Sequence, residues 1–538
     1  MLVPAVIALL LAQAPQEPKL ATLEGVVTHA ATKTPVRKAK VTLTPTGSES
    51  PAASVETADD GKFVLKDVKP GRYRLSASKA GHEATAYGAR KPGEGIGQVL
   101  RVDAGAEITG LAIAMPKQGV IAGKVLDADN EPVGKALVMA LADMYVNGKR
   151  VRLPRGTIPV LANDLGEYRI GELPPGKYIV CAMPFNWVQP QPPQADSKPA
   201  SEEGNATTCF PSAPRMAEST QLEIRDGSEI PGIDVRMIRS KMVSVQGHVA
   251  GVPAGASAMT ILNLTTKGFG PMGNAMHPRS LVMSSDGKFE FRQVPPGSYI
   301  IHSLPTGLGN APYVVKSSVE IGDQPVTDLT VPALVPFELK ARVNAEPGPT
   351  LKLPSIRVIL TAADEISSAL AMGTANADGD LAIANTVPGR HKVNIGGLPQ
   401  THHVSEIRLG EQIVEGDEVE IVNAAAPLTI SLAIGRGEIS GAVRNDKGET
   451  VPGATVALVP DPKRPFRYRI ARTDQNGVYR LPNLARGEYL LIALDSVEAG
   501  ALEDEEFFKP LKPKARRVKV EEGGAQNFDL TLARVPES

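Results

Sequence analysis

The sequence predicts an all-β protein built as five tandem Greek-key β-sandwich modules in an elongated array. Three observations predict it. One phrase of sixteen residues recurs five times in 538 residues, from DGKFVLKDVKPGRYRL at 60–75 to NGVYRLPNLARGEYLL at 476–491. The other copies are LGEYRIGELPPGKYIV at 165–180, DGKFEFRQVPPGSYII at 286–301 and DGDLAIANTVPGRHKV at 378–393. Within each copy, apolar and charged residues alternate with period two, the pattern of a half-buried strand. Amphipathic helical stretches are scarce, and a chain this long exceeds what one core can serve.

Each element follows from its own residues. A module opens on a strand with a central glycine: LEGVV at 23, IAGKV at 121, VQGHV at 245 and ISGAV at 439. Module four lacks that glycine. A turn and an alternating strand follow, AKVTLTP at 39, KALVMAL at 135 and ATVALVP at 454. The recurring phrase then begins at Gly61, Gly166, Gly287, Gly379 or Gly477. Short polar residues stand just before each of these glycines, so a tight turn with a positive φ is expected. Two residues later comes Phe63, Tyr168, Phe289, Leu381 or Tyr479, pointing into a core. Val68, Leu173, Val294 and Leu484 plug the core before the next turn, where copy four carries Thr386. Ten residues after the first glycine stands a second, Gly71, Gly176, Gly297, Gly389 or Gly487. Proline precedes it in four copies and Arg486 in the fifth, so a Pro-Gly bend is expected, with glycine completing it. Tyr73, Tyr178, Tyr299, His391 and Tyr489 lead the next strand. Closing strands such as TGLAIAM at 109 and PGIDVRM at 231 bring the total to about seven strands per module, a sandwich with its own core.

The expected boundaries are a signal peptide at 1–19, then modules at 20–117, 118–241, 242–335, 336–433 and 434–538. Module two carries a Pro- and Ser-rich insertion at 185–208, expected as an extended loop. Linkers as short as MPKQG at 115–119 and IRSKM at 238–242 predict a semi-rigid rod.

The opening glycine, the A-x-V-x-L strand and the D-x-x-G-x-[YF]…P-G-x-Y phrase resemble the carboxypeptidase regulatory-like domain. That resemblance covers nearly all of residues 20–538 and is weakest in module four. It implies a transthyretin-like, prealbumin-type sandwich in a bacterial tandem-repeat protein. Its motif residues serve turns and cores, so it assigns no functional site. The resemblance also extends to collagen-adhesin B-type modules, which form an internal Lys–Asn isopeptide bond promoted by a buried Glu. The matching positions here are Ala77, Ala182, Ser303, Ile395 and Ala493, so no such bond is expected.

Composition narrows the function. The net charge of -1 argues against a nucleic-acid partner, which needs clustered Lys and Arg. Val3–Leu11 reads as an apolar export-signal core with Ala12 and Ala14 as small residues for cleavage, although no basic residue precedes it and Pro15 follows the obvious cut. No later apolar run is long enough to span a membrane. The expected location is periplasmic or extracellular, as a monomer. Cys181 and Cys209, the two cysteines of the chain, suggest one disulfide in an exported protein, with two buried thiols as the alternative.

No cofactor, metal or catalytic residue is expected. HVSE at 403–406 matches half of a zinc-peptidase site but has no downstream His, so a solvent-facing His pair is expected on a loop. Asp127 to Glu131 and Asp59-Asp60 read as turn formers rather than a Ca²⁺ cage. EDEEFF at 503–508, followed by basic residues, reads as a solvated loop. The candidate ligand contacts are Phe185, Trp187 and Phe210, which flank the insertion and offer rings for stacking on a sugar or peptide. Together these features predict a non-enzymatic scaffold, adhesion or assembly protein of the cell envelope, partnered by envelope proteins or polysaccharide. The alternative is a carbohydrate-binding protein with starch-binding-like sandwiches, against which the low aromatic content of 4% weighs. An enzyme with an unrecognised site is the third reading.

Overall fold

A computed structural model describes residues 19–47, 50–90, 97–146, 148–156, 160–184, 201–253, 260–267, 279–282, 286–303, 313–348, 350–363, 371–462, 468–498 and 500–535. The chain forms two compact units, Met1–Met115 and Pro116–Ser538. The signal segment, Phe185 and Trp187 lie outside the described residues.

Module one shows how the recurring phrase folds. Its strands are β1 (Ala21–His29), β2 (Lys40–Pro45), β3 (Ala53–Glu56), β4 (Lys62–Val68), β5 (Gly71–Ser78), β6 (Thr85–Ala86), β7 (Leu100–Val102) and β8 (Glu107–Met115). One sheet runs β4-β1-β8 and the other β3-β2-β5, with β6 and β7 also on β5. β1 pairs antiparallel with β4 and parallel with β8. Leu23, Val41, Leu43, Phe63, Leu65, Leu75 and Ile113 fill the space between the sheets. The buried apolar residues of the remaining chain form four further clusters of this kind, spanning 121–237, 243–331, 339–432 and 439–530.

The first glycines sit where the turn needs them, with φ from 65° at Gly287 to 85° at Gly379. The preceding polar side chains hold the turn. Asn163 Oδ1 accepts the N–H groups of Leu165 and Glu167, Asn376 those of Asp378 and Asp380, and Asp474 those of Asn476 and Val478.

Three of the second glycines have a different reason from the one expected, while Gly389 and Gly487 lie at φ 132° and 157°. Gly71, Gly176 and Gly297 are not at positive φ. Instead the next aromatic ring lies over them: a Cβ at Gly71 would stand 3.2 Å from the Tyr73 ring, and one at Gly297 3.3 Å from the Tyr299 ring. Each ring is pinned there because its hydroxyl donates to the carbonyl four residues back. Tyr73 bonds Lys69 O (2.8 Å), Tyr178 bonds Pro174 O (2.7 Å), Tyr299 bonds Pro295 O (2.8 Å) and Tyr489 bonds Ala485 O (2.9 Å). His391 of module four does the same with Nε2 to Val387 O at 2.7 Å, so its departure from tyrosine keeps the bond.

A bulge recurs that the sequence does not announce. Asp67, Glu172, Gln293, Asn385 and Asn483 all have φ between 54° and 58°. Each adds one residue before the core plug, so Leu65 and Val68 both face inward although three positions apart. Thr386, the plug of module four, is fully buried and donates its hydroxyl to Ile383 O.

The outer face of the second sheet differs among modules. In module two it packs Leu137, Met139, Leu141, Ile179 and Met183 around Cys181 and Cys209. In module five it packs Val459, Leu490 and Ile492 against Leu502, Phe508 and Leu511. The acidic stretch 503–508 is therefore not a solvated loop. Asp504 caps the short helix Glu505–Phe508, whose Phe508 is buried. In module three the same face carries Asn263 paired across strands with His302, both fully buried. His302 bonds Thr265 Oγ1 at 2.9 Å, while its Nδ1 and the Asn263 carboxamide find no hydrogen-bond partner among the described residues. Burial first, and Lys316 on the neighbouring strand, lower the His302 pKa. The folded protein thus binds this proton more weakly than the unfolded chain, so stability is lost as pH falls below about 6.5. We expect urea midpoints to fall with pH in this range, and to fall less in His302→Gln. An identical pH dependence in the two proteins would refute this.

Within residues 116–538, contacts extend beyond consecutive modules. The hairpin of strands Leu137–Val146 and Lys149–Pro154 in module two reaches module five, where the Tyr145 ring meets Phe507 edge-on at 5.8 Å.

Candidate functional site

The insertion of module two is where the sequence places its candidate contacts. Cys181, on the strand Gly176–Met183, stands opposite Cys209 on the strand Thr208–Cys209, with the sulfurs bonded at 1.99 Å. Phe210 is not presented on a free loop. It is half-buried and packs against the module-two core. Its N–H donates to Val180 O, and its carbonyl accepts the Thr220 N–H.

The end of the insertion does something the Pro-rich composition conceals. Residues Ser201–Asn205 form a strand rather than a loop. It runs antiparallel to the first residues of the long strand Arg239–Ala250 that begins module three, with Ser201 opposite Val243 and Asn205 opposite Arg239. Module two thereby lends a strand to the sheet of module three. The missed signal is SEEGNATTC itself, a short stretch free of proline between the Pro-rich run and Phe210.

A cleft of about 330 Å³ lies along this seam, lined by Met183, Pro184, Glu202, Met242, Leu264 and Tyr299 among others. Residues of both modules line it, polar and apolar in about equal share. Burial pushes the Tyr299 phenol up, so it stays neutral and keeps its bond to Pro295 O.

The seam is clamped by charge. Arg239, in the linker, pairs with Asp129 of module two and lies 4.0 Å from Glu203 of the lent strand. Its bond to Asp129 raises the arginine pKa further. The turn 127–131 is therefore engaged: Asp127 Oδ1 accepts the N–H groups of Asp129 and Glu131, and Asp129 takes the arginine. An arginine also holds the joint between modules four and five. Arg436 pairs with Glu346 of module four and, at 3.1 Å, with Glu522 of module five. The Ile434 N–H first, then Arg436, hold the Glu346 carboxyl below the usual range.

The His pair at 402–403 is not solvent-facing. It opens the strand His402–Leu409, and both rings are buried because the strand pairs with Leu428–Ile434. His402 bonds Glu346 O at 3.0 Å and Thr401 Oγ1 at 2.9 Å, and Glu406 is taken by Arg408. Among the described residues, no group of three or more His, Cys, Asp or Glu could hold a metal ion. Among them also, no helix is long and apolar enough to cross a membrane.

Residues 22–115 and 438–533 match the carboxypeptidase regulatory-like domain. No curated protein matches the chain. Among solved structures, the chain is similar to the minor pilin of Streptococcus agalactiae, with 13% identity and a TM-score of 0.23 over 41% of this chain and 96% of that one. It is similar to the major pilin subunit of Bacillus cereus, with 10% identity and a TM-score of 0.16 over 77% and 99%. It is also similar to two B repeat units of the collagen-binding protein of Staphylococcus aureus, with 11% identity and a TM-score of 0.14 over 77% and 100%. At these TM-scores none of the three likenesses bears on function. The chain is thus a tandem-repeat β-sandwich protein in which two regions, residues 22–115 and 438–533, match the carboxypeptidase regulatory-like domain.

Proposed function

We propose that this protein is an exported, non-enzymatic scaffold of the cell envelope, with modules at 20–117, 118–241, 242–335, 336–433 and 434–538. The observation that carries the reading is the pair of clamped joints. Arg239 ties the linker and the lent strand to the body of module two, and Arg436 bridges carboxylates of modules four and five. At the first joint the ion pair adds to the strand pairing of residues 201–205 with 239–243, so each joint links neighbouring modules by more than the chain itself. The recurring residues serve turns, bulges and cores, so binding falls to surfaces between the repeats. The paired cysteines suit an oxidising compartment.

A membrane-impermeant crosslinker applied to intact cells tests the proposal. Adducts with envelope proteins are expected, and recovery of the chain solely from the cytoplasm would refute it. A second reading, carbohydrate binding, is favoured by one observation: Trp187 stands three residues after Pro184, which lines the cleft. Affinity electrophoresis through polysaccharide gels, comparing the parent with Trp187→Ala, separates the two. Retardation of the parent alone supports the second reading.

A further inference from the structure

We infer that residues 116–538 form a hinged clasp: modules two and three are one arm, modules four and five the other, and Tyr145 with Phe507 is the latch. The inference is independent of what the protein binds.

Each arm is fixed internally. In the first, the lent strand Ser201–Asn205 pairs along residues 239–243, Arg239 pairs with Asp129, and the Ala206 N–H donates to Ile238 O. In the second, Glu346 accepts from the Ile434 N–H and from Arg436, the Gly435 N–H donates to Thr401 O, and Arg436 reaches Glu522.

The joint between the arms is built differently. Its linker is Leu334-Val335-Pro336-Phe337, which carries no charged side chain, so the linker itself supplies no arginine clamp. Val335 is 51% exposed. Proline fixes its own φ and holds Val335 extended, so the bend falls to the junction of Pro336 with Phe337.

The latch is small. Tyr145 and Phe507 meet edge-on, and both remain half-buried. Gly148, near the hairpin tip, abuts module five: a Cβ there would stand 3.0 Å from Glu503 Cβ. Beside it, Lys149 Nζ reaches Ala363 O of module four at 3.5 Å, a long bond from an exposed side chain. Gly500 also packs on Tyr145, a Cβ there standing 3.2 Å from Tyr145 Cβ. Losing the edge-on aromatic pair shifts an open–closed ratio by up to about tenfold, so the clasp is poised rather than locked.

Distances between spin labels test the clasp. One label pair reports across the arms, at Arg225→Cys in module two and Lys519→Cys in module five. A second pair reports within one arm, at Arg225→Cys and Glu320→Cys. In the parent, both distributions should be narrow. In Tyr145→Ala/Phe507→Ala the cross-arm pair should gain a longer population, with the open-to-closed ratio up about tenfold, while the within-arm pair stays narrow. If the aromatic double variant unfolds module five, Gly148→Asp takes its place. That variant sets a carboxylate against Glu503, leaves both rings intact and should open the cross-arm pair in the same way. An unchanged cross-arm distribution in the folded variants would overturn the proposal. So would a broad cross-arm distribution in the parent, or a broad within-arm distribution.

Discussion

Gly247→Ala should destabilise module three by about 3 kcal/mol or more, a large effect for one added methyl group. The reason is crowding from two directions. A Cβ at Gly247 would stand 2.0 Å from Leu329 O on the parallel strand and 2.7 Å from the Phe289 ring on the antiparallel one. The same geometry recurs at Gly25, where Leu111 O is at 2.2 Å and the Phe63 ring at 2.6 Å. Module four supplies an internal control. There Ala341 occupies the position, and the residue across from it is Leu381, not an aromatic. Its parallel partner begins at Leu428 with no register shift, whereas the partners of β1 and of Arg239–Ala250 shift next to their glycines. Module four thus has both a smaller neighbour and no bulged backbone above the Cβ. Adding Phe289→Leu to Gly247→Ala should therefore recover part of the loss, but not all, because Leu329 O remains. Calorimetry of the full chain measures both variants. A single variant as stable as the parent would show that neither contact sets the requirement. Complete recovery in the double variant would show that the ring alone does.

How much was legible follows from which interactions are local. The strand periodicity and the first-glycine turns were readable because each is written within five residues, as in Asn163 to Glu167. The second glycine was legible as a position but not as a reason. In modules one and three its constraint comes from a ring two residues on, pinned by a bond to a carbonyl before the turn. The left-handed residues at 67, 172, 293, 385 and 483 carry four side-chain types, so no residue pattern marks them. The seam between modules two and three was hidden for a different reason. Composition made the whole insertion a loop, yet five of its residues find a sheet edge belonging to the next module. A partner beyond the local stretch cannot be read from local pattern. The same holds for His402 and His403, whose burial depends on the strand Leu428–Ile434.

Replacing both cysteines, as Cys181→Ala/Cys209→Ala, should cost module two about 3 to 4 kcal/mol. The bond links residues 28 positions apart. Most of the loop it closes is the Pro-rich insertion, whose composition offers few apolar side chains to restrain the chain once the link is gone. The two sulfurs sit in a second apolar cluster with Leu137, Met139, Ile179 and Ala213, at 0% and 3% exposure, so alanine leaves no orphaned polar group. The loss should appear as a fall on the order of 10 °C in one calorimetric transition. Burial gives a second, independent readout. A dithiol reductant reaches this bond only after the strand Thr208–Cys209 lifts from Gly176–Met183, so reduction should be slow in buffer and fast in urea. Rapid reduction under native conditions would mean that the strand opens readily and contributes little to the module. An unchanged transition in the double variant would mean that loop closure is not what stabilises this face, and that the apolar cluster alone holds position 209 beside the strand Gly176–Met183.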